Sequence, residues 1–488
     1  MNELSRHERA VVSASPGHFA VAQDSVQRLR LSVSSALIVA LLSPLSVLKS
    51  RVVQRILLAT VLLDIPFQFG THLFHSEEEA AGGALSGLSI SATTIALAGL
   101  YLSWFLTSFV ARNRIARRRP IFNLPLFLFL IFTAVSVFVA SDLSLALYEL
   151  FLALQLYLVY FYVANILRTR EDIQFVMTFL LIGCVIESVA MIILEFTGMP
   201  STIGGLPTHI HLQTGPHDSF IRVGGTVGSP NETSAYLSFL LPLAACLLLG
   251  DSKRWQKWLA CSALGFAGVA MIFTFSRGGW IASILAALII GFVMLRTRGL
   301  SLKAPIGILA FLVILSLPLH GLISARLFSD DQGSAASRIP LMMLAFRMIA
   351  EHPVFGVGAN NFSMATMPYL TSEFRSGFLY TVHNKYLLIW TETGIGGLLA
   401  YLAFLMGALR LGWKCWRQNN GPWSMLALAI VAAIVGHMVH MNFDVFQIGP
   451  VQELLWLIAG LLIPIYRLCD PASSRDGAFR RHAWHAQG

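Results

Sequence analysis

Apolar blocks of membrane-crossing length recur along the whole chain, and no other feature restricts the possible folds as much. They lie at about Leu31–Leu48, Ile56–Gly70, Leu88–Val110, Ile121–Ala140, Leu145–Leu167, Ile173–Phe196 and Ala235–Leu249. The series continues with Trp258–Thr274, Trp280–Leu295, Ile306–Leu319, Tyr386–Leu409, Met425–Val439 and Val451–Tyr466. A helix needs about 20 apolar residues to cross a bilayer. These blocks are apolar on every face, whereas a membrane β-barrel alternates apolar and polar residues over segments of about 10. Only a helix satisfies its own backbone within one such block, so the chain is expected to be an all-α polytopic membrane protein. Its 12% charged content agrees with that reading, because soluble domains carry about 25%.

Basic residues orient the bundle. Arg112, Arg114, Arg117, Arg118 and Arg119 crowd one short loop, which the positive-inside rule places in the cytoplasm. Alternating from that loop puts 20 of the 34 Lys and Arg in cytoplasmic loops and seven in outer ones. The outer seven are Arg222, Arg277, Arg326, Arg338, Arg347, Arg375 and Lys385. The net charge of +9 therefore reflects mainly topology and gives no reason to expect nucleic acid. Thirteen complete crossings would leave Arg28 and Arg30 outside. Because Ile56–Gly70 is short and holds Asp64 and Pro66, about twelve crossings with both ends cytoplasmic is preferred, and thirteen is the alternative.

Residues 1–30 read as a polar N-terminal tail without a cleavable signal, 31–110 as N-terminal transmembrane segments, and 467–488 as a cytoplasmic C-terminal tail. Cys184, Cys246, Cys261, Cys415 and Cys469 fall in spans or at cytoplasmic edges, so no outer disulfide framework is expected. No Walker or dinucleotide-binding glycine pattern occurs, and no cofactor is expected.

Chemistry is then expected in or beneath two outer loops, Gly198–Glu232 and residues 324–385. In the first, Arg222 precedes Gly224 and Gly225, and is either an interfacial arginine reaching lipid phosphate or an anion contact. His209, His211 and His217 lack metal-ligand spacing and read as loop histidines. The turn TFSRGGW places Arg277 on the outer side, against the charge rule, where it either anchors to headgroups or binds an anion. In the second loop, apolar residues 341, 342, 344, 345, 348 and 349 form one stripe of an amphipathic helix. Ser337 can cap that helix, Arg338 begins it, Arg347 and Glu351 can pair across one turn, and His352 before Pro353 ends it. His383 opens the next long helix, as a plain polar cap or as a neutral general base. Glu392, about 13 Å deeper at 1.5 Å per residue, reads as a polar group facing the bundle interior.

Four segments carry a family resemblance. RVGGTVGSPN (Arg222–Asn231), TFSRGGW (Thr274–Trp280), Ser337-Arg338 with HPVFGVGANNF (His352–Phe362), and HNKYLLIWTETGIGG (His383–Gly397) resemble, in kind and order, the O-antigen ligase and polysaccharide polymerase superfamily. The similarity spans about residues 121–466, with residues 324–385 as the large periplasmic loop. It implies a GT-C type glycosyltransferase of the bacterial inner membrane with its active site facing the periplasm. Such an enzyme moves a glycan from an undecaprenyl diphosphate donor to a hydroxyl on a glycan, lipid A-core or other acceptor, beside partners in polysaccharide assembly and export.

Carried over, the resemblance makes His383 the catalytic base and makes Arg222, Arg338 and Arg277 contacts to the donor diphosphate. A diphosphate leaving group needs cations more than an acid, which guanidinium forks supply. The outer loops hold no Asp-x-Asp, Asp330 and Asp331 being adjacent, so a metal-independent, inverting transfer is expected. Exopolysaccharide or O-antigen polymerase ranks ahead of lipid A-core ligase, and protein O-glycosyltransferase third. The alternative from another class is a flippase or transporter, which would use Glu149, Glu187, Glu195, Asp444 or Glu453 near the midplane, but no internal repeat accompanies them.

Overall fold

The structure, a computed structural model, describes residues 47–48, 50–78, 82–110, 121–198, 202–203, 206–214, 219–250, 252–298, 338–370, 380–418, 421–446 and 449–469. The arginine-rich loop at 112–119, the Ile306–Leu319 block, Ser337, His217, most of Leu31–Leu48 and residues 1–46 and 470–488 lie outside the described residues. The helices are α1 (Arg51–Phe67), α2 (Ala92–Val110), α3 (Leu124–Ser136), α4 (Leu143–Ile166), α5 (Arg170–Thr197) and α6 (Pro230–Leu249). They continue as α7 (Arg254–Phe273), α8 (Arg277–Arg298), α9 (Arg338–Glu351), α10 (Lys385–Gln418), α11 (Pro422–His440) and α12 (Gly449–Cys469). Among the described residues eight helices, α4 to α8 and α10 to α12, are long and apolar enough to cross a membrane, so the protein is a multi-pass membrane protein.

The chain sorts into two units, residues 1–56 with 99–113 and residues 57–98 with 114–488. Within the first, Ser103 Oγ donates to the Leu48 carbonyl at 2.7 Å and accepts from Gln54 Nε2 at 2.8 Å. The second holds the helix bundle, whose core includes fully buried Tyr236, Phe239, Tyr401, Phe404 and Trp456.

Helix starts follow local chemistry. Asp142 caps α4 by accepting from Ser144 and Leu145, and Thr169 with Asp172 makes a capping box on α5. Ser229 and Glu232 make another on α6, with Pro230 in the first turn. Polar caps of this kind explain why α6 begins five residues before the apolar block that signals it. The Leu88–Val110 block is not one helix. Its first four residues form β2 (Leu88–Ser91), paired antiparallel with β1 (Gly70–Leu73), because Ala92 N then donates to Phe69 O and Asp64 takes Thr93 N at 2.8 Å. Two more hairpins, β3 (Thr202–Ile203) with β4 (Leu206–Pro207) and β5 (His209–Thr214) with β6 (Ser219–Gly225), add short sheets to a bundle expected to be all helical.

Helix α9 matches the amphipathic stripe. Leu341, Leu344, Ala345, Met348 and Ile349 are its buried face, and it ends at Glu351. Arg347 Nη1 donates to the Tyr369 carbonyl while the Tyr369 hydroxyl donates to Glu351, so one tyrosine links the expected pair.

Helix α10 breaks inside its span. Gly394 has φ 73° and ψ 180°, which ordinary side chains do not tolerate. The break frees backbone groups, and the HPVFGVGANNF segment takes them up. Val357 N donates to Thr391 O at 2.8 Å, Gly358 N to Glu392 O at 3.1 Å, and Ile395 N to Pro353 O at 2.9 Å. Glu392, buried, also accepts from Phe362 N at 3.2 Å. The two asparagines complete the clip: Asn361 exchanges bonds with Asp142, and Asn360 bonds Leu85 N, Leu85 O and Leu145 O.

Asn360→Ala is therefore expected to lower folded stability by about 1–3 kcal/mol, since it removes three hydrogen bonds to backbone groups, one of them buried. Thermal unfolding of the purified protein in detergent measures this, and an unchanged midpoint would remove the clip assignment.

Candidate functional site

The four residues singled out from the sequence sit at one end of the bundle, and Asn231 and Asp444 join them. Arg222, on β6, donates through Nε to Thr274 O at 3.0 Å and through Nη2 to Asn231 Oδ1 at 2.8 Å. Thr274 belongs to the TFSRGGW turn, so the first arginine is held by the segment that carries Arg277. Asn231 Nδ2 in turn donates to Asp444 Oδ2 at 2.7 Å, and Asp444 Oδ1 accepts from Val445 N. A chain of hydrogen bonds thus runs Arg222, Asn231, Asp444.

His383 lies just before α10. Asn384 caps that helix, accepting from Tyr386 N and Leu387 N, and Lys385 N donates to Met441 O at 2.9 Å. The Tyr386 hydroxyl reaches Met438 O at 2.9 Å. This clasp fixes the HNKY segment to the end of α11, where Asp444 follows. Burial pushes the His383 imidazole below its ordinary pKa, the Asp444 carboxylate opposes that, and the Arg338 guanidinium reinforces it. A backbone hydrogen bond with Thr381 acts on the ring in the same sense as Asp444, and Nδ1 is enclosed. The Tyr380 ring packs 5.3 Å from the imidazole, and its phenol is pushed up to about 12, mainly by burial. The result is an imidazole suited to accept a proton, with cations nearby.

Lys385, counted from sequence among the outer cations, is in fact buried, and its charge bears on Glu149 and Glu392. Glu187, a candidate ion site under the transport alternative, is fully buried and accepts from Thr226 N and Thr226 Oγ1, fixing the RVGGTVGSPN loop to α5. An apolar cleft of about 620 Å³ lies apart from these groups, lined by Val139, Ser141, Glu351, His352, Val354 and Phe355 among others.

Sequence reasoning gave no role to Asn231 or His440 and offered Asp444 only as a midplane group under the transport alternative. The available signal was two histidines, His437 and His440, closing an otherwise apolar span and followed by an aspartate.

Fold and site together define a polytopic helical membrane protein with an imidazole, a carboxylate and several guanidinium groups at one end of its bundle. Residues 262–402 match the family described as O-antigen ligase, and the chain is similar to that family over this stretch. The match takes in Arg277, Arg338 and His383, and supports the resemblance carried by the motifs. No curated protein matches the chain.

Proposed function

We propose that the protein transfers a glycan from a polyprenyl diphosphate donor, undecaprenyl diphosphate in a bacterial inner membrane, to an acceptor hydroxyl on the periplasmic side. The observation that carries this reading is the convergence of Arg222, Asn231, Asp444, Arg338 and His383, in a chain whose 262–402 stretch is similar to O-antigen ligases. Neutral His383 takes the proton of the acceptor hydroxyl as that oxygen attacks the anomeric carbon. The bond to the diphosphate breaks from the opposite face, with inversion, and Arg222, Arg338 and Arg277 stabilise the charge that collects on the leaving group. Asp444 orients Arg222 through Asn231 and stabilises the imidazolium. Of the acceptors, a growing exopolysaccharide or O-antigen chain is favoured, then lipid A-core, then protein.

Transfer in vesicles from a labelled polyprenyl diphosphate glycan tests the reading. Activity is expected to persist in excess chelator, and complete loss there would refute the metal-independent step. Absence of the protein should shorten a polymer if it is a polymerase and leave complete chains unattached if it is a ligase. Transport of the intact lipid-linked glycan without any new glycosidic bond would favour the flippase alternative.

The pH profile has a definite sign. The reactive form of His383 is neutral, so activity falls as pH drops through its lowered pKa. Asp444 holds that pKa up against burial, so Asp444→Asn should move the acid limb to lower pH while reducing the maximum. A limb that stays put, or moves to higher pH, would separate Asp444 from His383.

A further inference from the structure

His440 is the last residue of α11, only 1% exposed, and has no part in the scheme above. A Cβ on Gly278 would come within 2.4 Å of its Cδ2 and 2.5 Å of its Nε2. One edge of the ring therefore lies against the first turn of α8, next to Arg277, where only glycine leaves room. Phe446 stands edge-on at 4.7 Å between centroids. The opposite side of the ring carries Nδ1, which is enclosed and has no hydrogen-bond partner among the described residues. The charges that act on this ring are those of Asp444 and Arg338, the same two that act on His383. Asp444 already accepts from Asn231 and Val445.

A buried polar nitrogen without a partner is costly, so natural proteins seldom keep one that no ligand or water completes. Two neighbours narrow what completes this one. The Arg338 guanidinium and the arginine-bearing first turn of α8 both favour an anionic oxygen.

We propose that His440 is part of the donor-binding wall, its Nδ1–H donating to a phosphoryl oxygen of the lipid diphosphate between Arg338 and the Arg277 turn. This assignment rests on the function proposed above and adds a binding group to it. His383 takes the acceptor's proton, whereas His440 holds the leaving group by a hydrogen bond that needs no change of protonation.

The test uses full-length protein in nanodiscs, with undecaprenyl diphosphate titrated directly and transfer kinetics measured alongside. His440→Phe fills the same space without a donor and should weaken binding about tenfold or more, as loss of a hydrogen bond to a charged group does. The effect should appear in Kd and in KM for the donor, with kcat at saturation falling less. His440→Asn returns an amide N–H near the Nδ1 position and should restore most of the affinity. Gly278→Ala, which pushes the ring aside without touching its chemistry, should weaken binding in the same direction and covers the case in which His440→Phe fails to fold. Wild-type affinity in a folded His440→Phe variant, or a loss confined to kcat, would overturn the assignment and leave the glycosyl-transfer reading standing. A wild-type protein that neither binds the lipid diphosphate nor transfers from it would remove both.

Discussion

His383→Ala is expected to lower turnover by about 10²–10⁴-fold, the range that general-base catalysis supplies, with donor affinity changing by less than about threefold. The expectation comes from how the imidazole is held. Its backbone is fixed by the Asn384 cap and by the Lys385 N to Met441 O bond, so the ring cannot drift with a mobile loop. Burial and Arg338 keep it neutral, and Tyr380 covers one face. Alanine keeps the helix start and removes only the proposed base. His383→Gln, which has hydrogen-bonding atoms but does not titrate in this range, should be nearly as inactive. Single-turnover transfer from labelled donor separates the chemical step from binding. Full activity in either variant would transfer the base role elsewhere, and Asp444 would be the next group to examine.

Gly394→Ala is expected to destabilise the fold by about 3 kcal/mol or more and to abolish transfer with it. Two costs coincide. The backbone at φ 73° and ψ 180° belongs to a region populated essentially by glycine, where another residue costs about 1–3 kcal/mol. The added Cβ would also fall 1.9 Å from the Val354 carbonyl oxygen, which is part of the segment clipped into the break. Relief requires either that α10 straighten or that residues 353–358 withdraw. Both displace Glu392 and the Asn360 and Asn361 bonds. Thermal unfolding together with limited proteolysis near residues 353–370 reports the change. An alanine variant with wild-type stability would mean that the break is adjustable.

Much of the fold could be read from hydropathy, because a long uncharged block has one way to satisfy its backbone in lipid. Helices α4, α5, α7, α8, α11 and α12 start and stop within a few residues of the blocks that announce them. The misses have local causes. Leu88–Ser91 is apolar and adjoins a helix, so nothing in its composition separates strand from helix. Ser229 to Ser234 is polar because it builds a cap, and polarity concealed the first turn of α6. The HPVFGVGANNF segment was recognisable as a motif, but its role as a clip depends on a break at Gly394, 32 to 42 residues later in another helix. For the site, Arg222, Arg277, Arg338 and His383 stood out as cations and an imidazole in outer loops. Asn231 and His440 did not, since an asparagine inside a capping sequence and a histidine at a span's end are ordinary until a fold puts them beside an arginine and an aspartate.

The hydrogen-bonded line from Arg222 through Asn231 to Asp444 joins positions 213 residues apart in sequence between its last two members. Two of its three members precede the stretch similar to O-antigen ligases and the third follows it. The proposed site is consequently not portable in the form in which the similarity displays it. A chimera that exchanges only residues 262–402 with a related protein would carry over His383, Arg277 and Arg338 but face them with a host's versions of Arg222, Asn231 and Asp444. Exchanges intended to move acceptor preference between such proteins should take the chain from β6 through the turn after α11 as a single piece.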